Sequence, residues 1–238
     1  MTQYMRWNNI SALILTKFHY ITIDNSLGSK TIPIPEKYIN EIIEKNITAV
    51  SIICNNVSVS CLPNHITHLM LDFEYNEPIE NLPQKLELLY LSDRFNQSLD
   101  YLPINLKTLS LGIEFNNPLD NLPPNLETLE MDNTEFDFSL ANLPISLKTF
   151  ICGNNFSPTV INTLPDTIHT IVIHDNKNFV DNIFAILKLP KYIRQIIIFN
   201  YNPNEVYDVA MLRKNNKINV ENQNYDVIIK LCYPSKIN

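Results

Sequence analysis

The sequence predicts a β-rich solenoid of stacked repeats, closed by short helical and strand caps. Three observations predict it. Leu-Pro pairs recur at Pro63, Pro83, Pro103, Pro123, Pro144, Pro165 and Pro190, with gaps of 20, 20, 20, 21, 21 and 25 residues. Behind each proline (P), apolar residues fall at P+3, P+6 and P+8, as in Leu106, Leu109 and Leu111. An aromatic–Asn pair then recurs at Tyr75-Asn76, Phe95-Asn96 and Phe115-Asn116. A period of this length marks an array of units, none of which can bury its apolar face alone.

Residues 1–45 read as an N-terminal cap. Alternation over residues 10–23 predicts a strand pair, and Pro35 to Lys45 predicts a short helix. In that helix Tyr38, Ile39, Ile42 and Ile43 share one face, with a proline near the first turn. Trp7, the single tryptophan, is expected to anchor this cap.

The array spans residues 46–200, about eight repeats. Its first unit is degenerate: Ile47 to Ile52 aligns with Ile66 to Leu71. P+6 and P+8 stand two apart, so they point to one face of a strand, and P+7 points to the other. The proline lacks an N–H and suits the turn before the strand. P+3 sits at that bend. The aromatics are expected to stack into a spine. The Asn side chains are expected to be buried and to satisfy loop backbone groups. Residues 201–238 read as a C-terminal cap, with a helix around Val206, Val209, Ala210 and Leu212 and a strand within Tyr225 to Leu231.

The chain has 238 residues and is 45% apolar, ample for one continuous core. It has no run of 18 apolar residues, so no membrane span is expected. Its N-terminus shows no small-residue cleavage site, which predicts a cytoplasmic location. The four cysteines form no CxxC pair and read as small buried hydrophobes. A net charge of −7 and the absence of a Lys/Arg cluster argue against nucleic acid as a partner.

The positions that alternate with the core define the candidate surface. P+5 carries His68, Leu88 and then four threonines, Thr108, Thr128, Thr149 and Thr170. P+7 carries Met70, Tyr90, Ser110, Glu130, Ile151, Val172 and Ile197. P+9 adds Asp72, Ser92, Gly112, Asp132, Gly153, His174 and Phe199 to the same face. Apolar groups at P+7 on a solvent-facing sheet would form a contact patch, unless both faces of the parallel sheet are apolar or a terminal cap folds over the row. The candidate protein-binding residues are therefore Met70, Tyr90, Glu130, Asp132, Ile151, Val172, His174, Ile197 and Phe199. Glu130 and Asp132 read as solvated charge, since no His is paired with them in sequence. Three glycines cannot build a nucleotide-binding loop, and no metal-ligand or nucleophile motif occurs. The sequence thus predicts a non-enzymatic protein with no catalytic residues, metal or cofactor.

The pattern Phe-Asn-x-x-Leu-x-x-Leu-Pro-x-x-Leu-x-x-Leu-x-Leu resembles the FNIP repeat, a short relative of the leucine-rich repeat. The resemblance is strong from Ile66 to about Phe156 and best from Phe95 to Leu129. It weakens from Thr163 to Asn200, where the Phe-Asn element is lost or displaced. It implies a curved solenoid with one parallel β-sheet on the concave side. Such proteins occur in social amoebae and in giant DNA viruses of amoebae, which for a viral protein implies the host-cell cytoplasm. The leading expectation is a protein-interaction module presenting that concave face to a protein partner. One alternative is the substrate-recognition subunit of a ubiquitin ligase, because Ile34-Pro35-Glu36 with Tyr38 and Ile42 resembles the opening of an F-box. Another is a homo-oligomeric structural protein, joined as a homodimer by a terminal strand or the apolar row.

Overall fold

Each Leu-Pro pair opens the same turn. The P+3 amide donates to the proline carbonyl at 3.2 Å in Ile66–Pro63, 3.1 Å in Leu106–Pro103 and 3.0 Å in Leu147–Pro144. The turn points the P+3 side chain inward. Ile66, Leu86, Leu106, Leu126, Leu147 and Ile168 are all fully buried. Two residues later the chain enters a strand. The computed structural model in which these contacts are seen describes residues 18–23, 30–53, 56–72, 74–131, 136–153, 156–175, 190–200 and 228–232. Trp7, the first part of the expected strand pair and the helix expected around Val206 to Leu212 lie outside the described residues.

Among the described residues the strands are β1 (His19–Thr22), β2 (Ile32–Pro33), β3 (Ala49–Ile53), β4 (Val57–Ser58), β5 (His68–Asp72) and β6 (Leu88–Tyr90). They continue with β7 (Thr108–Leu111), β8 (Thr128–Met131), β9 (Thr149–Cys152), β10 (Thr170–Asp175), β11 (Gln195–Asn200) and β12 (Ile228–Cys232). Ten of them form one sheet in the order β1-β3-β5-β6-β7-β8-β9-β10-β11-β12. All nine pairings in it are parallel, from β1 on β3 to β11 on β12. A second parallel pair, β2 with β4, stands apart from it.

Register aligns the core residues into columns. Leu69, Leu89, Leu109, Leu129, Phe150, Ile171 and Ile196 are successive partners, and all are fully buried. Full burial of each contributes about 1.5–3 kcal/mol. β3 adds Val50 to the same column, so the degenerate first repeat is a true rung. The loop aromatics Tyr75, Phe95, Phe115, Phe136 and Phe156 form a second inner column, each at most 1% exposed. Phe95 and Phe115 stack with centroids 6.4 Å apart and planes 5° off parallel. Phe136 and Phe156 stack at 6.0 Å.

The Asn row differs from expectation. Asn76, Asn96 and Asn116 are exposed, yet they do bridge repeats. Asn76 Oδ1 accepts from Asn96 N–H at 2.9 Å, and Asn96 Oδ1 accepts from Asn116 N–H at 2.9 Å. Asn117 Nδ2 also donates to Asn96 Oδ1, at 2.7 Å. The loop has no ladder of its own, so a side chain supplies the missing acceptor. Asn96→Ala removes that acceptor, but water can replace it. A loss of about 0.5–1 kcal/mol is expected in urea unfolding. A loss as large as that of a core truncation would show that the row does more.

Near the N-terminal end, α1 (Glu36–Glu44) follows Pro35. Ile42 is fully buried, and Tyr38 and Ile39 pack partly against the core. Ile43, expected on the same face, is instead 55% exposed, because it lies one residue past the buried stripe. The helix stops in a Schellman turn: Ile47 N–H donates to Ile42 at 2.9 Å, Asn46 N–H to Ile43 at 3.1 Å, and Asn46 has φ 49°. Since β3 begins at Ala49, only one helix fits between Pro35 and the sheet, not the three that an F-box needs. A single helical turn, α2 (Pro158–Ile161), follows Phe156 in the loop of its repeat and buries Val160 and Ile161. Cys152 is buried at P+8 as expected, but Cys61, in the Leu-Pro turn, is exposed.

Candidate interaction surface

Strand alternation places P+5 and P+7 on the side of the sheet opposite the core. The threonine ladder is real in register: Thr108, Thr128, Thr149 and Thr170 are successive partners, each half-buried. One position along, Ser51, Met70, Tyr90, Ser110, Glu130, Ile151, Val172 and Ile197 form a single column. Six of the proposed contact residues therefore do share one row.

That row is not an open apolar patch. Met70 is 7% exposed, Tyr90 3%, Ile151 5% and Val172 1%. At one end Phe18 packs on Met70, Leu88 and Tyr90, with Ala49 at the edge. Its ring also meets that of His68 edge-on, 6.4 Å between centroids. The residue preceding β1 thus acts as a lid over that end of the row. Toward the other end, Val172 lies between Ile151 and Ile197 in the ladder. Ser110 and Glu130 interrupt the apolar run, and of the column only Glu130 and Ile197 are half-exposed. His174 and Phe199 are partners in the β10–β11 register. Asp132 lies outside the described residues.

The P+9 positions do not all belong to this face. β6 ends at Tyr90 and β7 at Leu111, so Ser92 and Gly112 have already left the strand. Ser92 Oγ turns inward and donates to the Tyr75 carbonyl at 2.7 Å. A strand one or two residues shorter than expected moves P+9 from the sheet into the following loop.

A further column was not anticipated. At P+4 stand Thr67, Glu87, Lys107, Glu127, Lys148, His169 and Arg194. Each N–H of this series donates to the P+4 carbonyl of the preceding rung, for example Lys107 to Glu87 at 2.8 Å and Lys148 to Glu127 at 2.9 Å. Glu87 and Lys107 form an ion pair at 3.1 Å. Thr67, Glu87, Lys107 and Glu127, with Lys85, Asn105, Asn125 and Ser146, line a shallow polar groove of about 460 Å³ across five repeats. Asn105 and Asn125 brace it by donating to the carbonyls of Gln84 and Ile104, at 2.8 and 3.0 Å. The signal was present in the sequence, since every member lies four residues after a repeat proline. It carries no hydrophobic period, so an apolar-pattern reading passes over it.

Burial, and then the charges of Arg194 and Lys148, hold the His169 pKa below its ordinary value. Its imidazole is therefore neutral at neutral pH. Among the described residues no group of three or more His, Cys, Asp or Glu side chains is arranged to hold a metal ion. No helix among them is long and apolar enough to cross a membrane.

No curated protein and no solved structure matches the chain. A family model does: the FNIP Repeat matches residues 95–134. That stretch holds the stacked Phe95–Phe115 pair, the Asn96–Asn116 bridge and the β7 and β8 rungs. The chain is a parallel β-solenoid that carries the FNIP repeat.

Proposed function

We propose that this chain is a non-enzymatic protein-interaction module whose contact face is the outer side of the ten-stranded sheet, with the adjoining P+4 groove. The contrast between columns carries the reading. The P+6 column is apolar on every rung, as the core requires, whereas P+7 runs through Met, Tyr, Ser, Glu, Ile and Val. Ladder pairing holds these varied side chains at a fixed spacing of roughly 4.8 Å, so one partner can touch several rungs at once. Glu130, Ile197 and the half-buried threonines are its accessible elements.

The test compares the proteins retained by the native chain with those retained by Thr128→Arg/Thr149→Arg, which blocks the outer face. Glu114→Arg, on an exposed loop, is the control. The outer-face variant is expected to lose a partner that the control keeps. Equal recovery of every partner by all three would refute the assignment of this face.

A further inference from the structure

The P+4 column divides into two electrostatically different halves. Over Glu87, Lys107 and Glu127 the signs alternate. Beyond Glu127 come Lys148, His169 and Arg194, with no carboxylate between them in the column. His169 N–H donates to the Lys148 carbonyl at 2.9 Å, and Arg194 N–H to the His169 carbonyl at 2.8 Å. The three side chains therefore start from adjacent rungs, roughly 4.8 Å apart. Lys148 and Arg194 are exposed, and His169 between them is half-buried.

Among the described residues neither Lys148 nor Arg194 takes part in an ion pair. Lys148 Nζ donates to the Ile145 carbonyl at 3.0 Å, which leaves the ammonium two further donors. Asp166, on the turn leading to His169, accepts from the Lys191 N–H at 2.8 Å. Lys191 adds another exposed cation on the neighbouring turn. A chain with net charge −7 thus carries, among the described residues, a local run of cations outside any ion pair, with a neutral imidazole at its centre.

We propose that Lys148, His169 and Arg194 form the docking point for an acidic segment of a protein partner. A partner carboxylate would sit between the ammonium and the guanidinium, within reach of the imidazole N–H. Arg provides a fork suited to a carboxylate, and Lys a second charge-assisted donor. A nucleic acid fits less well, because its phosphates continue in a line while the column turns acidic at Glu127. The proposal deepens the interaction-module reading and rests on it.

Binding of a carboxylate favours the imidazolium, so it must raise the His169 pKa. The full chain would be titrated with an oligoglutamate peptide, and in parallel with oligothymidylate. The readouts are calorimetry and the pH titration of the His169 ring by NMR. The peptide is expected to bind, to raise the His169 pKa and to lose affinity as salt is added. Lys148→Ala and Arg194→Ala should each weaken it roughly threefold. Lys45→Ala, an exposed cation at the end of α1 and outside the contact face, should leave it unchanged. An unmoved His169, an equal loss in Lys45→Ala, or tighter binding of oligothymidylate would overturn the proposal. If the peptide fails while Thr128→Arg/Thr149→Arg still loses a partner, the docking point is wrong and the interaction reading stands.

Discussion

Phe115→Ala is expected to lower the stability of the chain by about 3–5 kcal/mol, read as a fall in the urea midpoint. The ring is fully buried and lies nearly parallel to that of Phe95. Truncation removes its own transfer free energy and leaves a void that its neighbours can fill only in part. Collapse into that void is resisted, because the rungs on either side are held by strand ladders and by the Asn96–Asn116 bridge. Phe115→Leu keeps most of the volume and should cost less than about 1.5 kcal/mol. Ile113→Ala, in the same loop but 38% exposed, should cost far less than Phe115→Ala. Similar losses for the two truncations would show that the aromatic column is not what holds the loops together.

The second large effect is expected at Gly112. No described glycine has a positive φ, so this one is not there for its backbone angles. It is there for space. A Cβ at this position would lie 2.3 Å from Asp93 Cα and 2.3 Å from the Ser92 carbonyl oxygen. Both are backbone atoms and cannot rotate away. The approach is fixed from both sides, by Leu91 N–H donating to Ser110 at 3.0 Å and Glu114 N–H donating to Asp93 at 2.8 Å. Gly112→Ala must push two rungs apart, at a cost of about 1–3 kcal/mol. In hydrogen exchange, the Leu91 and Glu114 amides should lose protection before the β7 core does. Unchanged stability and unchanged exchange would mean that the loop yields freely.

The inner columns were legible because packing imposes a period. Leucines at P+3, P+6 and P+8 can only repeat if each faces the same neighbour, and Leu69, Leu89, Leu109 and Leu129 do stack in one line. The aromatic spine could be read for the same reason. What sits outside the core follows no such rule. Whether Asn96 is buried depends on the path of its loop, and spacing says nothing about that path. Ser92 and Gly112 left the outer face because the strands end early, a matter of local hydrogen bonds and not of side-chain type. The cover over Met70 and Tyr90 comes from Phe18, 52 and 72 residues earlier in the chain (70 − 18 and 90 − 18), and no local pattern announces it. The P+4 charges were in plain sight but carry no apolar signal.

The bridge from Asn76 to Asn96 to Asn116 is one joint used twice, and a joint that repeats can be re-made elsewhere. Excising the 20 residues from Asn96 to Phe115 would leave Phe95 followed by Asn116, which then meets Asn76. The spine, the turns and the ladders would close again, one coil shorter. The same cut deletes Lys107 and sets Glu87 beside Glu127. Slippage during gene copying can therefore change the length of such a protein without dismantling it, but each change of length rewrites the charge pattern its edge displays.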